Sequence, residues 1–467
     1  MFRALAALSV VVFLTACPEK PAEAPKPGPE ASKQNVPPPR TGKVTLVVTG
    51  HEAGALVKRG ARLVSQWKKE EAWPDLLAFS TGDSFSGAVI SSHFDGESTA
   101  EVMKALQYKA SAFGNHDMDL GFDTLGKFRT SSGLDFLAAN LTSKDAAQGF
   151  APSAVYTREN VKVGVVGFTS LKTLTTTESG RAAGLTLVPL DQAVPRALES
   201  LKKDSPDVVV ALIDDCFPAL KAVLDAHADW KIDLVVGTRC DGAQEDVSGK
   251  TKYFSAGDDV SHYVSAKFEL KADGTTALTA KRKEVTEKGD EDQDLLALRD
   301  RWQKKLDEVL GEKIGFTKNG LKEESPELRL LIATALKDQA KADAALINKK
   351  GVRAALPRGA ITRATVYDLI PFENAFITVK MKGEALEKFR AMPEAVVVAP
   401  QKLDPAKDYV VATTEYIYFG GDGLGLEVVA PEPDFTGQVW QTPVIEWLKA
   451  QKSDEKKPLD GKLKSLK

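Results

Sequence analysis

The sequence carries little net charge, few cysteines and no N-terminal apolar run long enough to cross a bilayer. Its formal net charge is -3 over 467 residues, which gives no indication of nucleic acid or of an anionic membrane as a partner. The apolar stretch of residues 4–13 is shorter than the roughly 20 residues that a spanning helix needs. Apolar content of 43% and charged content of 27% are typical of a globular protein. The length predicts two domains rather than one core.

The N-terminus has the pattern of a targeting segment. A basic residue precedes the short apolar core, and Leu14 to Cys17 has the sequence of a bacterial lipoprotein box. The pattern predicts a signal peptide over residues 1–17, cleavage before Cys17 and lipid on its thiol, with a simple secretory peptide as the alternative. The Pro-rich residues 18–42 are typical of an extended tether. We therefore expect lipid anchoring in a bacterial envelope, facing the periplasm, and the absence of Asp after Cys17 favours the outer membrane.

Two buried-strand patterns end in polar loops. The run LLAFS leads to Asp83, and the run ASAF leads to Asn115, His116 and Asp119. Side chains just past the carboxyl ends of strands meet ligands in open α/β sheets. These four side chains are therefore expected to converge.

The residue types in the two loops suit metal-assisted hydrolysis of phosphate esters. A carboxylate such as Asp83 can bridge two cations, and the amide oxygen of Asn115 is a neutral ligand. His116 can donate a proton or a hydrogen bond to phosphate, oriented by Asp119 three residues later. The simpler interpretation is that Asp83 and Asn115 only cap the helices that follow them.

The motifs TGDSFSG and GNHDMD resemble the GD and GNHE/D blocks of the calcineurin-like metallophosphoesterases, and specifically of the 5'-nucleotidase family. The blocks INKKGVRAALPRGAIT, LIPFENAFITVKMKGEAL and YVVATTEYIYFGGDGLG are similar to that family's nucleotide-binding domain. The resemblance implies an α/β chain with an N-terminal four-layered αββα sandwich and a C-terminal mixed α/β domain. The implied segments are a metallophosphoesterase-like domain over 43–285, a linker helix over 286–312, a 5'-nucleotidase C-terminal domain over 313–451 and a polar, frayed tail over 452–467.

The order of strand and helix patterns fits this architecture. Strand and helix patterns alternate as far as LVVG, after which TKYFSAG, HYVSAKFEL and TTALTAKRKEV have period-two patterning and predict antiparallel strands. The linker pattern has apolar residues at helical spacing. It fits equally a hinge and a static helix packed on one domain.

The resemblance also implies a nucleotide site in the second domain. The family's roles there are phosphate pairing by an arginine in an N-x-x-G-x-R block, stacking of the base between two aromatic rings, reading of the base edge and holding of the ribose hydroxyls. The matching residues are Asn348 and Arg353, Phe372 and Tyr416, Asn374, and Asp422, respectively. A further family arginine is missing, and Lys322 is the nearest basic residue.

The first domain departs from the family at most of its metal ligands. The positions that correspond to those ligands hold Glu52, Asp83, Asn115, Asp214 and Asp241. A shift of one residue would bring in His51 instead of Glu52. Such an oxygen-rich set favours Mg²⁺, Mn²⁺ or Ca²⁺ over Zn²⁺, with one or two ions. Arg239 is a candidate replacement for a metal ion, although one arginine cannot balance four carboxylates.

Cys216 and Cys240 each follow an apolar strand pattern. Both are expected at the same rim of the sheet, close to the proposed site. In an oxidising compartment they can form a disulfide. The alternative is two separate buried thiols.

Three functions fit these observations. The first is a nucleotide phosphoesterase that uses a divalent metal, with a nucleotide as its small-molecule partner and the membrane contacted through the lipid on Cys17. The second is a nucleotide-binding lipoprotein, or pseudoenzyme, that has lost turnover. The third is a structural lipoprotein without a ligand. Retention of His116 and Asp119 favours the first, and loss of the family's histidine ligands favours the second.

Overall fold

The computed structural model describes residues 40–144, 150–177 and 182–466. The predicted signal peptide and its lipidation site, Cys17, lie outside these residues. Within the described part of the chain, no helix combines the length and the apolar character needed to cross a membrane.

Strands and short helices alternate along most of the described chain. The strands are β1 Gly42–Thr49, β2 Leu77–Ser80, β3 Tyr108–Ala112, β4 Asp135–Leu137, β5 Leu141–Ser143, β6 Ser153–Arg158, β7 Val161–Phe168, β8 Leu185–Leu187, β9 Val208–Ile213, β10 Leu234–Gly237, β11 Glu245–Ser248, β12 Thr251–Ser255, β13 His262–Leu270, β14 Thr276–Glu284, β15 Lys313–Thr317, β16 Ala344–Asn348, β17 Gly359–Thr362, β18 Ala375–Lys382, β19 Ala395–Val398, β20 Asp408–Thr414 and β21 Pro433–Val439. The helices are α1 Leu56–Glu70, α2 Val89–Ser92, α3 Glu97–Ala105, α4 Phe122–Ser132, α5 Thr173–Thr176, α6 Leu190–Leu201, α7 Pro218–Asp225, α8 Gln293–Leu310, α9 Pro326–Ala340, α10 Arg363–Leu369, α11 Gly383–Arg390, α12 Glu415–Tyr418, α13 Gln441–Gln451 and α14 Asp460–Leu463.

Strands β1 to β14 build a layered sandwich, called here the N-terminal sandwich. Among the described residues, one six-stranded sheet has the order β14-β13-β1-β2-β3-β4 and a second has the order β11-β12-β10-β9-β7-β6. Strands β1 to β4 pair in parallel, as do β7, β9, β10 and β12. The carboxyl ends of the parallel strands within each sheet therefore lie at one edge.

Successive side chains of a strand point to opposite faces of its sheet, so alternate residues of one strand belong to different cores. Val44, Leu46 and Val48 of β1 pack with Val208 and Val210 of β9 in a core between the two sheets. The outer face of the first sheet is covered by α1, α3 and α8, and the outer face of the second by α6 and α7. This arrangement is the four-layered αββα sandwich that the resemblance implies, and the predicted fold class is confirmed.

A five-stranded sheet with the order β19-β16-β20-β18-β21 forms the centre of the second half, among the residues the structure describes. Helices α9, α10 and α13 cover one of its faces around Trp440, and α11 and α12 cover the other around Leu386. Both faces are therefore buried, as expected of a mixed α/β domain.

The last strands of the sandwich differ in part from the sequence prediction. Strands β13 and β14 are antiparallel, as predicted. Strand β12 instead pairs in parallel with β10 and antiparallel with β11, in the other sheet. Period-two patterning records only which face is buried, so it cannot assign the partner strand.

Helix α8 packs on the N-terminal sandwich rather than lying free between the two halves. Its side chains Leu295, Trp302 and Leu306 are buried in the same core as α1 and α3. The indole of Trp302 donates a hydrogen bond to Glu101 Oε2 at 2.9 Å. The observed contacts match the static alternative, and rotation about this helix stays a prediction.

Residues 452–466 contain the short helix α14 and two buried leucines, whereas the sequence predicts a polar, frayed tail. Leu459 and Leu463 are buried, and Asp460 accepts hydrogen bonds from the backbone N–H groups of Lys318 and Asn319 at 2.8 and 3.0 Å. The two buried leucines anchor this short helix, and the carboxylate of Asp460 satisfies backbone N–H groups of a neighbouring loop.

Cys216 and Cys240 form a disulfide, with their Cα atoms 4.8 Å apart. The bridge joins the loop after β9 to the loop after β10 and closes a chain segment of 24 residues. Replacing both cysteines by serine is expected to lower the free energy of unfolding by about 3 kcal/mol, because the bridge restricts the unfolded chain. Urea unfolding of the oxidised protein and the variant measures the difference. Equal stability of the two proteins would contradict the expectation.

Candidate functional site

The loops that follow β1, β2, β9 and β10 meet at one end of the N-terminal sandwich. They carry His51, Asp83, Asp214 and Arg239, each within three residues of the end of its strand. His51, Asp83 and Arg239 have positive φ angles of 45°, 54° and 54°. Such left-handed conformations are unfavourable for residues other than glycine and concentrate at functional sites.

His51, Asp83 and Asp214 form a buried group that is able to hold a metal ion. One ligand atom of each lies within 4.8 Å of the others. Both aspartates are completely buried and the His51 side chain is 6% exposed. His51 Nδ1 is 3.3 Å from Asp83 Oδ2.

The guanidinium group of Arg239 lies against both aspartates. Its Nη1 donates a hydrogen bond to Asp83 Oδ2 at 2.9 Å. Its Nη2 donates to the backbone carbonyl of Asp214 at 2.9 Å and lies 2.9 Å from Oδ1 of the same residue, which accepts no hydrogen bond from the described residues. Arg239 therefore makes a hydrogen-bonded ion pair with the carboxylate of Asp83, whereas its contact with the carboxylate of Asp214 is an ion pair without a hydrogen bond.

The two aspartates respond differently to this single positive charge. Burial would raise the pKa of Asp83, but the charge of Arg239, helped by His116 and His51, holds that pKa well below its usual range. Burial and the neighbouring negative charge of Asp83 raise the pKa of Asp214 well above its usual range. One arginine balances one carboxylate, so Asp214 lacks a full counter-charge.

The residues present fit a divalent cation. The carboxylate oxygens of Asp214 and Nδ1 of His51 are buried without a hydrogen-bond partner among the described residues. Unsatisfied buried polar atoms are rare in folded proteins, and a cation would satisfy Oδ2 of Asp214 and Nδ1 of His51, while Oδ1 of Asp214 already faces Arg239. Asn115 is buried, with 6% exposure, directly before His116. One imidazole nitrogen with carboxylate and amide oxygens is a donor set that Mn²⁺ and related ions accept.

Two of the predicted ligands do not belong to this group. Both side-chain oxygens of Glu52 accept hydrogen bonds from hydroxyl groups of Thr49, Ser80 and Ser84, and the residue is completely buried. Burial raises its pKa despite these hydrogen bonds. Asp241 is exposed. Glu52 and Asp241 therefore lie outside the group, which contains His51 instead, and a ligand role for either stays a prediction.

His116 and Asp119 lie beside the metal-ligand group. His116 Nδ1 is 3.0 Å from Asp119 Oδ2, and the backbone N–H of His116 donates to Asp83 Oδ1 at 2.8 Å. Burial opposes the charged form of His116, but the bond to Asp119 and the charges of Asp83 and Asp119 outweigh it and raise the pKa of His116. The imidazole is therefore suited to carry a proton.

Asp117 is a positioning residue that the sequence analysis missed. It is completely buried, and its carboxylate accepts hydrogen bonds from the backbone N–H groups of Asp83, Ser84 and Gly114 at 3.1, 3.0 and 3.0 Å. It thus ties the loop after β2 to the loop after β3. Burial and the charge of Asp83 raise its pKa to about 7. The motif GNHDMD shows a second carboxylate between His116 and Asp119, which was the available signal.

Three predicted nucleotide-binding residues face these loops from the C-terminal half. Arg353 Nη2 is 3.4 Å from His51 Nε2, and the Arg353 guanidinium lies 5.7 Å from the centre of the Phe372 ring. The Phe372 ring stacks on His116, with ring centres 5.0 Å apart. Burial is the largest cause of a raised pKa of Tyr416, which is about 12, and the negative charges of Asp422 and Asp119 also raise it.

Two of the other predicted residues, Asn348 and Asp422, contact each other. Asn348 Nδ2 donates a hydrogen bond to Asp422 Oδ2 at 2.7 Å, while Asn348 Oδ1 is buried without a partner among the described residues. Asn374 immediately precedes β18, and its carbonyl accepts from the backbone N–H of Trp440 at 3.0 Å. Lys322 is exposed. Asn348 therefore orients Asp422, whose φ of 51° is left-handed.

Comparisons with known proteins agree with this architecture. A family model described as "5'-nucleotidase, C-terminal domain" matches residues 309–391. Protein UshA of Yersinia enterocolitica is 25% identical over 434 residues, covering 74% of this chain and 78% of that protein. The 5'-nucleotidase of Vibrio cholerae is 25% identical over 367 residues, covering 66% of each chain. The structure of a 5'-nucleotidase precursor from Thermus thermophilus superposes with a TM-score of 0.74 at 20% identity, covering 88% of this chain and 97% of that one. At that identity the structural likeness establishes the fold.

Proposed function

The chain belongs to the 5'-nucleotidase family, and we propose that it hydrolyses phosphate esters of nucleotides with the help of a divalent metal ion. The observation that carries this proposal is the group of His51, Asp83 and Asp214, whose ligand atoms lie within 4.8 Å of one another. Arg353, a predicted phosphate-binding residue, lies 3.4 Å from His51. A metal-binding group and a phosphate-binding group therefore share one cleft.

We propose that His51, Asp83 and Asp214 hold the ion, with the amide of Asn115 as a further ligand. When bound, a divalent ion lowers the pKa of a coordinated water and polarises the phosphoryl oxygens. The imidazole nitrogen of His51 makes the donor set less oxygen-rich than the sequence predicted, which favours Mn²⁺ over Mg²⁺ or Ca²⁺.

The remaining residues of the cleft position the substrate. The planar guanidinium of Arg353 suits bidentate pairing with a phosphate group. The protonated imidazole of His116, oriented by Asp119 at 3.0 Å, donates a hydrogen bond or a proton to the ester oxygen that leaves. Phe372 and Tyr416 offer aromatic surfaces to the base, and Asp422 accepts hydrogen bonds from the ribose hydroxyls.

Phosphate release from a panel of 5'-nucleotides tests the proposal. The purified protein is stripped with a chelator and then assayed with Mn²⁺, Mg²⁺, Ca²⁺ or Zn²⁺. The expected result is release that requires an added ion and is strongest with Mn²⁺. Release with no ion at all would contradict the metal requirement. Nucleotide binding without release under any ion would favour the binding-protein function, which agrees with the contact of Arg239 with both aspartates.

Replacing Tyr416 by alanine is expected to raise KM for nucleotides by about tenfold or more, because stacking on an aromatic ring stabilises a bound base by about 1–3 kcal/mol. Ribose 5-phosphate is the matched control, since it has the same ester bond and no base. Its KM is expected to stay unchanged. An equal rise for both substrates would show that Tyr416 acts on the cleft as a whole and not on the base.

We further propose that lipid on Cys17 anchors the protein in the outer membrane, facing the periplasm. The lipoprotein box before Cys17 and the absence of Asp after it support this proposal. Mass spectrometry of the mature N-terminus and membrane fractionation test it, with Cys17→Ala as the control. An unmodified N-terminus in the wild-type protein would refute the anchor.

A further inference from the structure

Arg239 fills a position in the site that a cation would otherwise occupy. Its guanidinium lies 2.9 Å from a carboxylate oxygen of Asp83 and 2.9 Å from one of Asp214. Both aspartates are completely buried, whereas the Arg239 side chain is 30% exposed. The positive side chain is therefore more exposed than the two carboxylates that it contacts.

The loop that carries Arg239 is held on both sides. The next residue, Cys240, is bonded to Cys216, which follows Asp214 by two residues. The hydroxyl of the preceding residue, Thr238, donates to the Gly257 carbonyl at 2.7 Å. The same disulfide thus links the loop that carries Asp214 to the loop that carries Arg239 and restrains the backbone from which the Arg239 side chain extends.

The charge of Arg239 alone does not balance the two carboxylates of the site. Asp83 and Asp214 carry two carboxylates, and Arg239 supplies one positive charge that makes a hydrogen bond to Asp83. Oδ2 of Asp214 and Nδ1 of His51 are buried and have no hydrogen-bond partner among the described residues. Oδ1 of Asp214, by contrast, lies 2.9 Å from Arg239 Nη2.

We propose that Arg239 is a built-in cation that takes one of the cation positions of the site, so that the chain binds a single divalent ion. The statement that a single divalent ion binds rests on the proposed function, because it assumes that the chain binds such an ion. Two-metal sites clamp both the attacking and the leaving oxygen. Here a fixed guanidinium performs the part of one ion, with a geometry that suits phosphoryl oxygens.

Equilibrium dialysis against Mn²⁺, followed by metal analysis, tests the inference without an activity assay. The wild-type protein is expected to bind one ion per chain, and Arg239→Ala is expected to bind one more, because it frees oxygens of Asp83 and Asp214. Arg239→Lys keeps the charge and is expected to bind as the wild type does. Arg158→Ala, in an edge strand of the sandwich, is the control for loss of an arginine elsewhere.

The outcomes separate this inference from the proposed function. Two ions in the wild type would overturn the inference and leave metal-dependent hydrolysis intact. No ion in the wild type with one in Arg239→Ala would support Arg239 as the cation and contradict metal-dependent hydrolysis. Equal numbers of ions in the wild type and Arg239→Ala would overturn the inference. The number of ions bound by the wild type tests the inference even if Arg239→Ala does not fold in the absence of metal. If Arg239→Ala can be purified in folded form only in the presence of Mn²⁺, that result would support the inference.

Discussion

Asp83→Asn is expected to lower kcat/KM for nucleotide hydrolysis by about a thousandfold, because loss of a metal ligand removes several kcal/mol of transition-state stabilisation. Asp83 contacts three other residues of the site, namely Arg239, His51 and His116. One of its oxygens accepts from Arg239 Nη1 and lies 3.3 Å from His51 Nδ1, and the other accepts from the backbone N–H of His116. Asparagine keeps the shape and one acceptor, but it removes the negative charge.

Bound metal, measured beside kcat/KM, shows where the loss arises. The variant is expected to retain less Mn²⁺ than the wild type at the same free concentration. Its stability is expected to fall by less than the roughly 3–5 kcal/mol that removal of one partner of a buried ion pair usually costs, because Asp214 still faces Arg239. Asp241→Asn is the matched control, since Asp241 is an exposed carboxylate two residues past Arg239. A comparable loss in that control would refute the assignment of Asp83.

The positions of Asp83 and Asp214 could be predicted from the sequence because each follows an unbroken apolar run. Such a run predicts a buried strand, and the first polar residues after it must lie at the carboxyl end of the sheet. The same reasoning placed Asn115 and His116 after β3. The arrangement of sheets and helices followed from these runs together with the family resemblance.

The direction of individual side chains could not be predicted in this way. His51 and Ala53 have positive φ angles of 45° and 46°, which turn the chain after β1 so that His51 faces Asp83 and Glu52 points into a group of hydroxyls. Sequence spacing contains no information about such angles in residues other than glycine. Asp241 directly follows the disulfide-bonded Cys240 and is exposed. The pairing depended on the distance between two strand ends, which spacing does not reveal.

His116→Ala is expected to lower kcat by about 10²- to 10⁴-fold, the range for loss of a positioned acid or base. KM is expected to change little, because Arg353 and the aromatic residues of the cleft are still present to hold the nucleotide. Phe372 packs on the ring of His116 with centres 5.0 Å apart, so the C-terminal half fixes the orientation of a residue of the N-terminal sandwich. Steady-state kinetics and thermal unfolding together distinguish lost chemistry from lost packing.

A double-mutant cycle with Asp119 gives the sharpest test of this role. Asp119→Asn weakens the contact with His116 Nδ1, which is 3.0 Å long in the wild type, and is expected to lower kcat by a smaller factor than His116→Ala. In the His116→Ala background the same change is expected to have almost no effect, because the partner that it orients is gone. Asp123→Asn, an exposed carboxylate in α4, controls for loss of negative charge near the cleft. Additive effects of the His116 and Asp119 substitutions would show that Asp119 acts independently of His116.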